Sequence, residues 1–397
     1  MGHNEQSHVE LHHLLFSKLT RLYIFQAFMS FAKSMIGMFV PVYLYSLGFS
    51  ISEIIIYGIG VSVAFLFFIP LAVKTIKKIG FKYTFLLTVP IYFSHIITLN
   101  YIDTNPALFH LAWITIGMYI AFFWPAFHSE MALNGTKSHR GSEVGTLQII
   151  TTILRSFGPF IGGVILGTLG YWDLLITISV IVSIGLIPLL FTQDIKLKNY
   201  DFGFRDYIRL IKSKKHNLAK IAFAAEGIEG HALGVFIWPI IVFLLLGQDF
   251  VKLGILLTVV SLIGVMFIFY FKKYIDKNNK NKILKVTTKL LSLHWFFKAL
   301  ILSFGGVFLF FVESLSKLIG GVFGLSFMSI FYNNAKKAGE YMDYIILREL
   351  YLHVTKILFL TLMLGVFYVY GESIRVLTYI IIIGVVMPFA LTYLKEE

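Results

Sequence analysis

Cysteine is absent from this chain of 397 residues, which excludes disulfides, thiolate metal centres and cysteine nucleophiles. Charge is scarce too. Asp, Glu, Lys and Arg make up 14% of the residues, little more than half of the roughly 25% usual in soluble domains. So low a content excludes a disordered chain, a nucleic-acid-binding arm and an ordinary cytosolic enzyme. Neither a GxxxxGK[ST] phosphate loop nor a GxSxG elbow occurs, so ATP-driven pumping and serine hydrolysis lack support.

What is present is apolar: 57% hydrophobic and 17% aromatic residues, with a mean hydropathy of +0.81. A helical span needs about 20 apolar residues. Twelve such runs are read at 21–47, 51–73, 82–99, 107–129, 143–168, 171–192, 218–246, 251–271, 284–303, 307–332, 345–370 and 374–394. They are continuously apolar, unlike the short alternating segments of a β-barrel. The first follows a polar tail and is too long for the core of a signal peptide, so it reads as retained. His3, His8, His12 and His13 of that tail offer at most a weak metal site, and a solvated tail explains them better. The fold expected is an all-α polytopic membrane protein.

Lys and Arg set its orientation. The loops 74–82, 131–142, 193–217, 272–289 and 334–343 hold 22 of the 34, and the alternate loops hold only Lys252 and Arg375. The basic side is therefore expected in the cytoplasm, with both termini. The net charge of +13 is then a topology signal reinforced by anionic lipid, and no nucleic-acid partner is implied. Residues 193–217 form the longest polar stretch between spans and contain a candidate amphipathic surface helix near Asp206–Ile211. The organisation expected is a tail (1–20), six spans (21–192), a basic linker (193–217) and six further spans (218–397).

The halves resemble one another. Gly37, Phe39, Pro41 and Leu47-Gly48 of span 1 recur as Gly234, Phe236, Pro239 and Leu246-Gly247 of span 7, and basic loops follow spans 2 and 8 at a similar offset. Duplicated bundles of this kind build secondary transporters.

Charged residues inside spans are the best functional pointers, because each costs at least about 2.5–3.5 kcal/mol near the bilayer centre. They are Lys33, Arg155, Lys298, Lys317 and Lys356, with Glu226, Glu229, Glu313 and Glu349. Lys220 and Arg348 are expected near the cytoplasmic face, in reach of water. Glu313 and Lys317 are spaced for an i,i+4 pair, and Glu349, His353 and Lys356 form a similar stripe. Glu226 and Glu229 lie an i,i+3 step apart, so joint ionisation is disfavoured and a proton-coupling role is expected, with His231 as relay. The competing reading pairs them with Lys33 across the bundle. Lys356 overlays Arg155 in the repeat, a possible clamp for an anion.

Three motifs carry a resemblance to the major facilitator superfamily over residues 21–394. Leu154-Arg-Ser-Phe-Gly158-Pro159-Phe-Ile-Gly162-Gly163 is similar to the antiporter motif GxxxGPxxGG, with Leu154 in place of the first Gly. Gly117 to Trp124-Pro125, followed by Arg140-Gly141, resembles the span 4 exit of exporters. Degraded copies of the gating motif GxxxDRxGRK keep Lys78, Gly80 and Lys82 in one half, and Asp276, Lys277 and Lys280 in the other. Lys77 replaces the first Asp, and Trp113 stands where drug–proton antiporters carry an Arg.

The resemblance implies two pseudo-symmetric six-helix bundles, twelve transmembrane helices in all, rocking about a cavity lined by spans 1, 4, 7 and 10. Lys33, Glu226, Glu229, His231, Glu313 and Lys317 would face it, which leaves His294 and Lys298 of span 9 without a role. Gly158, Gly162 and Gly163 are expected to admit a neighbouring helix, Pro159 to permit a bend, and Asp276 with Lys277 to form a charge relay. The expected activity is alternating-access transport, with proton-coupled export of a small, partly apolar compound as the first reading. A facilitator or symporter of a polar or anionic metabolite, using Lys33, Arg155 and Lys356, is the second, and an integral membrane transferase the third. No cofactor is implied. The partners are a small substrate, a proton or other coupling ion and the lipid of a plasma membrane, and the chain reads as a monomer.

Overall fold

A computed structural model describes residues 18–36, 40–134, 139–169, 171–191, 196–197, 200–304, 306–338 and 340–396. The tail histidines, and Gly37 and Phe39 of the repeat, lie outside them. The described residues are helical almost throughout: α1 (Lys18–Ile36), α2 (Val40–Ser46), α3 (Ile51–Asn100), α4 (Leu108–Asn134), α5 (Arg140–Thr168) and α6 (Tyr171–Leu190) form the first half. After α7 (Phe204–Lys212) come α8 (Asn217–Glu226), a π-helical stretch (Gly227–Ile237), α9 (Trp238–Leu245), α10 (Phe250–Lys277), α11 (Lys280–Ala299), α12 (Gly306–Lys337), α13 (Tyr341–Tyr370), α14 (Ile374–Ile380) and α15 (Ile383–Leu391).

Among the described residues, ten helices are long and apolar enough to cross a membrane. The ten differ from the expected twelve for two reasons. Helix α3 runs for 50 residues, about 75 Å at 1.5 Å per residue, which is far beyond a hydrocarbon core of about 30 Å. It is two arms meeting at Gly80, whose φ of 86° and ψ of 173° are non-helical. The expected loop 74–82 is thus mostly helix with a turn at a single glycine. Helix α11 matches the expected ninth span but carries too many lysines to be counted by composition.

The repeat has a backbone counterpart. Gly48 and Gly247 both have positive φ, 92° and 71°, a region open to glycine. In each case the next residue donates back across the turn, Phe49 N to Leu44 O at 3.2 Å and Gln248 N to Phe243 O at 2.9 Å. Each turn runs straight into a capped helix: Ser50 caps α3 and Asp249 caps α10.

The halves meet along two seams, α5 against α10 and α3 against α13. Small residues make both possible. A Cβ on Gly145 would strike Lys272 of α10, and one on Gly58 would crowd Leu360 of α13 as well as Phe236 of the π-helical stretch. Helix α7 forms where the linker pattern places an amphipathic helix, with Leu210 buried and Phe204, Ile208 and Ile211 exposed.

Candidate functional site

A cavity of about 420 Å³ lies among α5, the π-helical stretch, α9, α10, α11 and α12. Its wall includes Arg155, Glu229, Trp238, His294, Trp295, Lys298, Glu313 and Lys317. Four of the sequence-derived candidates therefore converge here: Arg155, Glu229, Glu313 and Lys317. His294 and Lys298, without an assigned role in the sequence, turn inward and complete the wall.

Both acids are held by indole N–H groups. Trp295 Nε1 donates to Glu229 Oε1 at 2.7 Å, and Trp238 Nε1 donates to Glu313 Oε1 at 2.5 Å. Lys298 sits over the faces of both rings, 4.2 Å from the Trp238 centroid and 4.4 Å from that of Trp295, and lies 4.0 Å from Glu313. A cation on an aromatic face next to a carboxylate is a compensated buried charge. Glu313 thus takes Lys298 rather than Lys317 as its ion-pair partner, because Lys298 approaches from a facing helix. Lys317 has no carboxylate within 4.0 Å among the described residues, and Arg155, exposed into the cavity, likewise makes no ion pair or hydrogen bond.

Glu226 turns the other way, so the two i,i+3 acids do not share a site. Arg348 donates Nε to Glu226 Oε2 at 2.9 Å and Nη2 to Oε1 at 2.5 Å, a two-pronged pair. It also donates Nη1 to Glu349 Oε1 at 2.6 Å and to His128 Nε2 at 3.3 Å. Because that nitrogen accepts, His128 carries its proton on Nδ1 and donates to Tyr332 Oη at 2.9 Å, an assignment that follows from the bonding pattern. His128 belongs to α4, so the network joins the two halves. Arg348 is only 5% exposed, as is Lys220. For Arg348 this corrects the expected position, since α13 begins at Tyr341 and Arg348 lies two turns inside the helix. Lys220, in the first turn of α8, stays at the basic end but donates its ammonium to the Ile211 carbonyl at 3.1 Å and to that of Ser213 instead of to water.

The remaining candidates are dispersed. Lys33 lies 4.6 Å from the Tyr119 ring centroid and 4.9 Å from that of Phe123, with no carboxylate partner among the described residues. Lys356 lies over Phe236 at 4.5 Å, outside the cavity wall, so it does not face Arg155 as a clamp. His231 Nδ1 contacts the Glu226 carbonyl at 3.4 Å rather than Glu229. His353 stacks on Phe65 of α3, with centroids 3.8 Å apart.

Contacts join the halves at both ends. At the end rich in Lys and Arg, Asp276 Oδ1 accepts Gly141 N at 2.6 Å, and Oδ2 accepts Ser142 N at 2.9 Å and Ser142 Oγ at 2.5 Å. A carboxylate at the first turn of α5 is favoured by the unpaired N–H groups and the helix dipole. Lys277 and Lys78 are exposed, so the acid works on a helix end and not through a lysine relay. Nearby, buried Arg140 donates to Met131 O at 2.5 Å and to Asn333 Oδ1 at 3.3 Å.

On the other seam Lys77 replaces the acid and binds Asp201 of the linker at 2.6 Å, while Tyr200 and Arg209 hold Asp343 of α13 at 2.5 and 2.9 Å. Burial, and then the bond to Asp343, push the Tyr200 phenol up from its ordinary value. At the opposite end Glu372 accepts from Ile51 N at 2.8 Å and Ser52 N at 3.2 Å, the first turn of α3.

The sequence matches the family model of the Major Facilitator Superfamily over residues 22–347. The chain belongs to the Major Facilitator Superfamily. It is a multi-pass membrane transporter and not an enzyme. No curated protein matches it by sequence. Among solved structures it is similar to a human organic anion transporter (TM-score 0.68, 13% identity, covering 94% of this chain and 98% of that one). It is also similar to the fucose:proton symporter of E. coli (0.65, 15%, 94% and 97%). A third likeness is to a bacterial homologue of the iron transporter ferroportin facing outward (0.68, 12%, 94% and 98%). At such identities the likeness shows the fold alone.

Within this superfamily member, the cavity draws on spans 5, 8 and 9 as well as 7 and 10, and no described residue of spans 1 and 4 lines it. The span 5 motif has a packing role: a Cβ on Gly158 would overlap Ser34, and one on Gly162 would overlap the Met35 carbonyl, so α5 rests directly on α1. Of Pro159 and Gly163 only the helical backbone is described.

Proposed function

We propose that the protein is a secondary active transporter working by alternating access, which exports a small, partly apolar compound in exchange for protons. It would sit in the plasma membrane as a monomer of twelve crossings, with 21–192 and 218–397 as its moving halves and the basic ends and both termini in the cytoplasm. The observation that carries this reading is the cavity wall: Arg155 of one half faces Glu229, Glu313 and Lys317 of the other. A site built from both halves is remade each time they rock. Acids held by neutral indole donors suit proton exchange, since the N–H bond tolerates either protonation state of its partner.

The span 5 motif supports the export direction. In everted vesicles with an imposed pH gradient, an exported compound should collapse the gradient, and Glu229→Gln should abolish that response. Glu226→Gln should weaken it through the Arg348 network. A gradient response unchanged in both variants would remove these acids from coupling.

A further inference from the structure

The cavity is unevenly satisfied. Its two carboxylates already hold an indole N–H each, and Lys298 is committed to two ring faces and Glu313. Arg155 and Lys317 make no ion pair or hydrogen bond among the described residues. His294 is 2% exposed, and neither ring nitrogen has a hydrogen-bond partner among them. Of the described charged groups on the wall, three are formally cationic and two anionic, a surplus of one positive charge among them. Trp238, Trp295 and Phe323 supply aromatic wall, and Leu257 and Leu291 aliphatic wall.

We propose that this cavity takes a monoanionic compound with an aromatic or other flat apolar body, gripping its acid group between Arg155 and Lys317 while His294 supplies a third polar contact. This rests on the transport reading above and names the cargo class for the same site. Arg155 is the better of the two anchors, because a guanidinium meets a carboxylate, sulfonate or phosphate with two parallel N–H donors. A neutral analogue would leave the surplus charge unmatched and a cationic one would add to it, which disfavours both against the anion. The volume lies in the range of small-molecule sites.

The test uses the purified full chain and three probes of one shape: indole-3-acetate, indole-3-acetamide and tryptamine. Indole-3-acetate should raise the melting temperature in a concentration-dependent way, and the amide and amine should not at equal concentration. Arg155→Gln and Lys317→Gln should each weaken binding of the acid at least tenfold, and Arg155→Lys should recover part of the loss. The unliganded melting temperature of each variant reports whether it folds. Equal shifts from acid and amide, native affinity in both glutamine variants, or no shift from aromatic carboxylates, sulfonates and phosphates alike would each overturn the proposal.

A Ser316→Cys variant separates this from the transport reading, since the chain has no other thiol. If labelling at this wall position alternates between the two membrane faces while no anion binds, transport stands and the cargo class falls. If the acid binds but access never alternates, the reverse holds.

Discussion

Replacing Asp276 by Ala should shift the protein towards the state open at its basic end. The three contacts of Asp276 with Gly141 and Ser142 join α10 to α5 across the halves and must break when that end parts. Hydrogen bonds to a charged group contribute about 1.5–3 kcal/mol, and a partly buried carboxylate at a helix terminus up to about 2 kcal/mol. These overlap, so about 2 kcal/mol is a reasonable value for the whole cluster. At 1.36 kcal/mol per decade that is about 30-fold. A minor open population of about 1%, within the usual range for a two-state protein, would grow to roughly a fifth. Spin labels at Lys74→Cys and Lys273→Cys, both exposed and on opposite halves, read the separation by pulsed dipolar spectroscopy. Asp276→Asn, which keeps one acceptor oxygen, should give an intermediate distribution. Identical distributions in native protein and Asp276→Ala would refute the latch.

Glu372→Gln should move the same distribution in the opposite sense and by less than tenfold, because Glu372 is exposed and only two N–H groups depend on it. Arg348→Met strands Glu226 and Glu349 without their cation and should cost about 3–5 kcal/mol, seen as a sharply lower melting temperature. Adding Glu226→Gln and Glu349→Gln should restore most of it, and native melting of Arg348→Met alone would count against the buried network. Gly162→Val puts side-chain carbon onto the Met35 carbonyl and should destabilise by about 1–3 kcal/mol. Gly365→Ala, with open space around it, should melt like the native protein.

The hydropathy pattern carried the fold because lipid leaves few alternatives to continuous apolar helices. The turns at Gly48 and Gly247 were legible for a local reason: a residue with positive φ shows itself as glycine in both copies. The site was legible only in part. Charged residues in spans pointed to Arg155, Glu229, Glu313 and Lys317, but pairings between distant helices leave no mark in a single sequence. Arg348 was misplaced because apolarity sets in later than the helix does. Lys298 was set aside because span 9 is peripheral in the family's arrangement. A local sign was present, since Leu291, His294 and Lys298 fall on one helical stripe, and a face that combines His and Lys with leucine fits poorly against acyl chains. Trp238 and Trp295 were not singled out from the sequence, because nothing local distinguishes an indole that binds a buried acid from one that anchors at an interface.

Those two indoles have a practical consequence. They are two of only five tryptophans, and each presents its N–H to an acid that the transport cycle is expected to load and unload. Gain of a proton by Glu229 or Glu313 weakens the field felt by the ring, so the emission colour of the unlabelled protein should change with it. Under the proposed proton exchange the protein would carry its own optical gauge of coupling, to be assigned residue by residue with Trp238→Phe and Trp295→Phe.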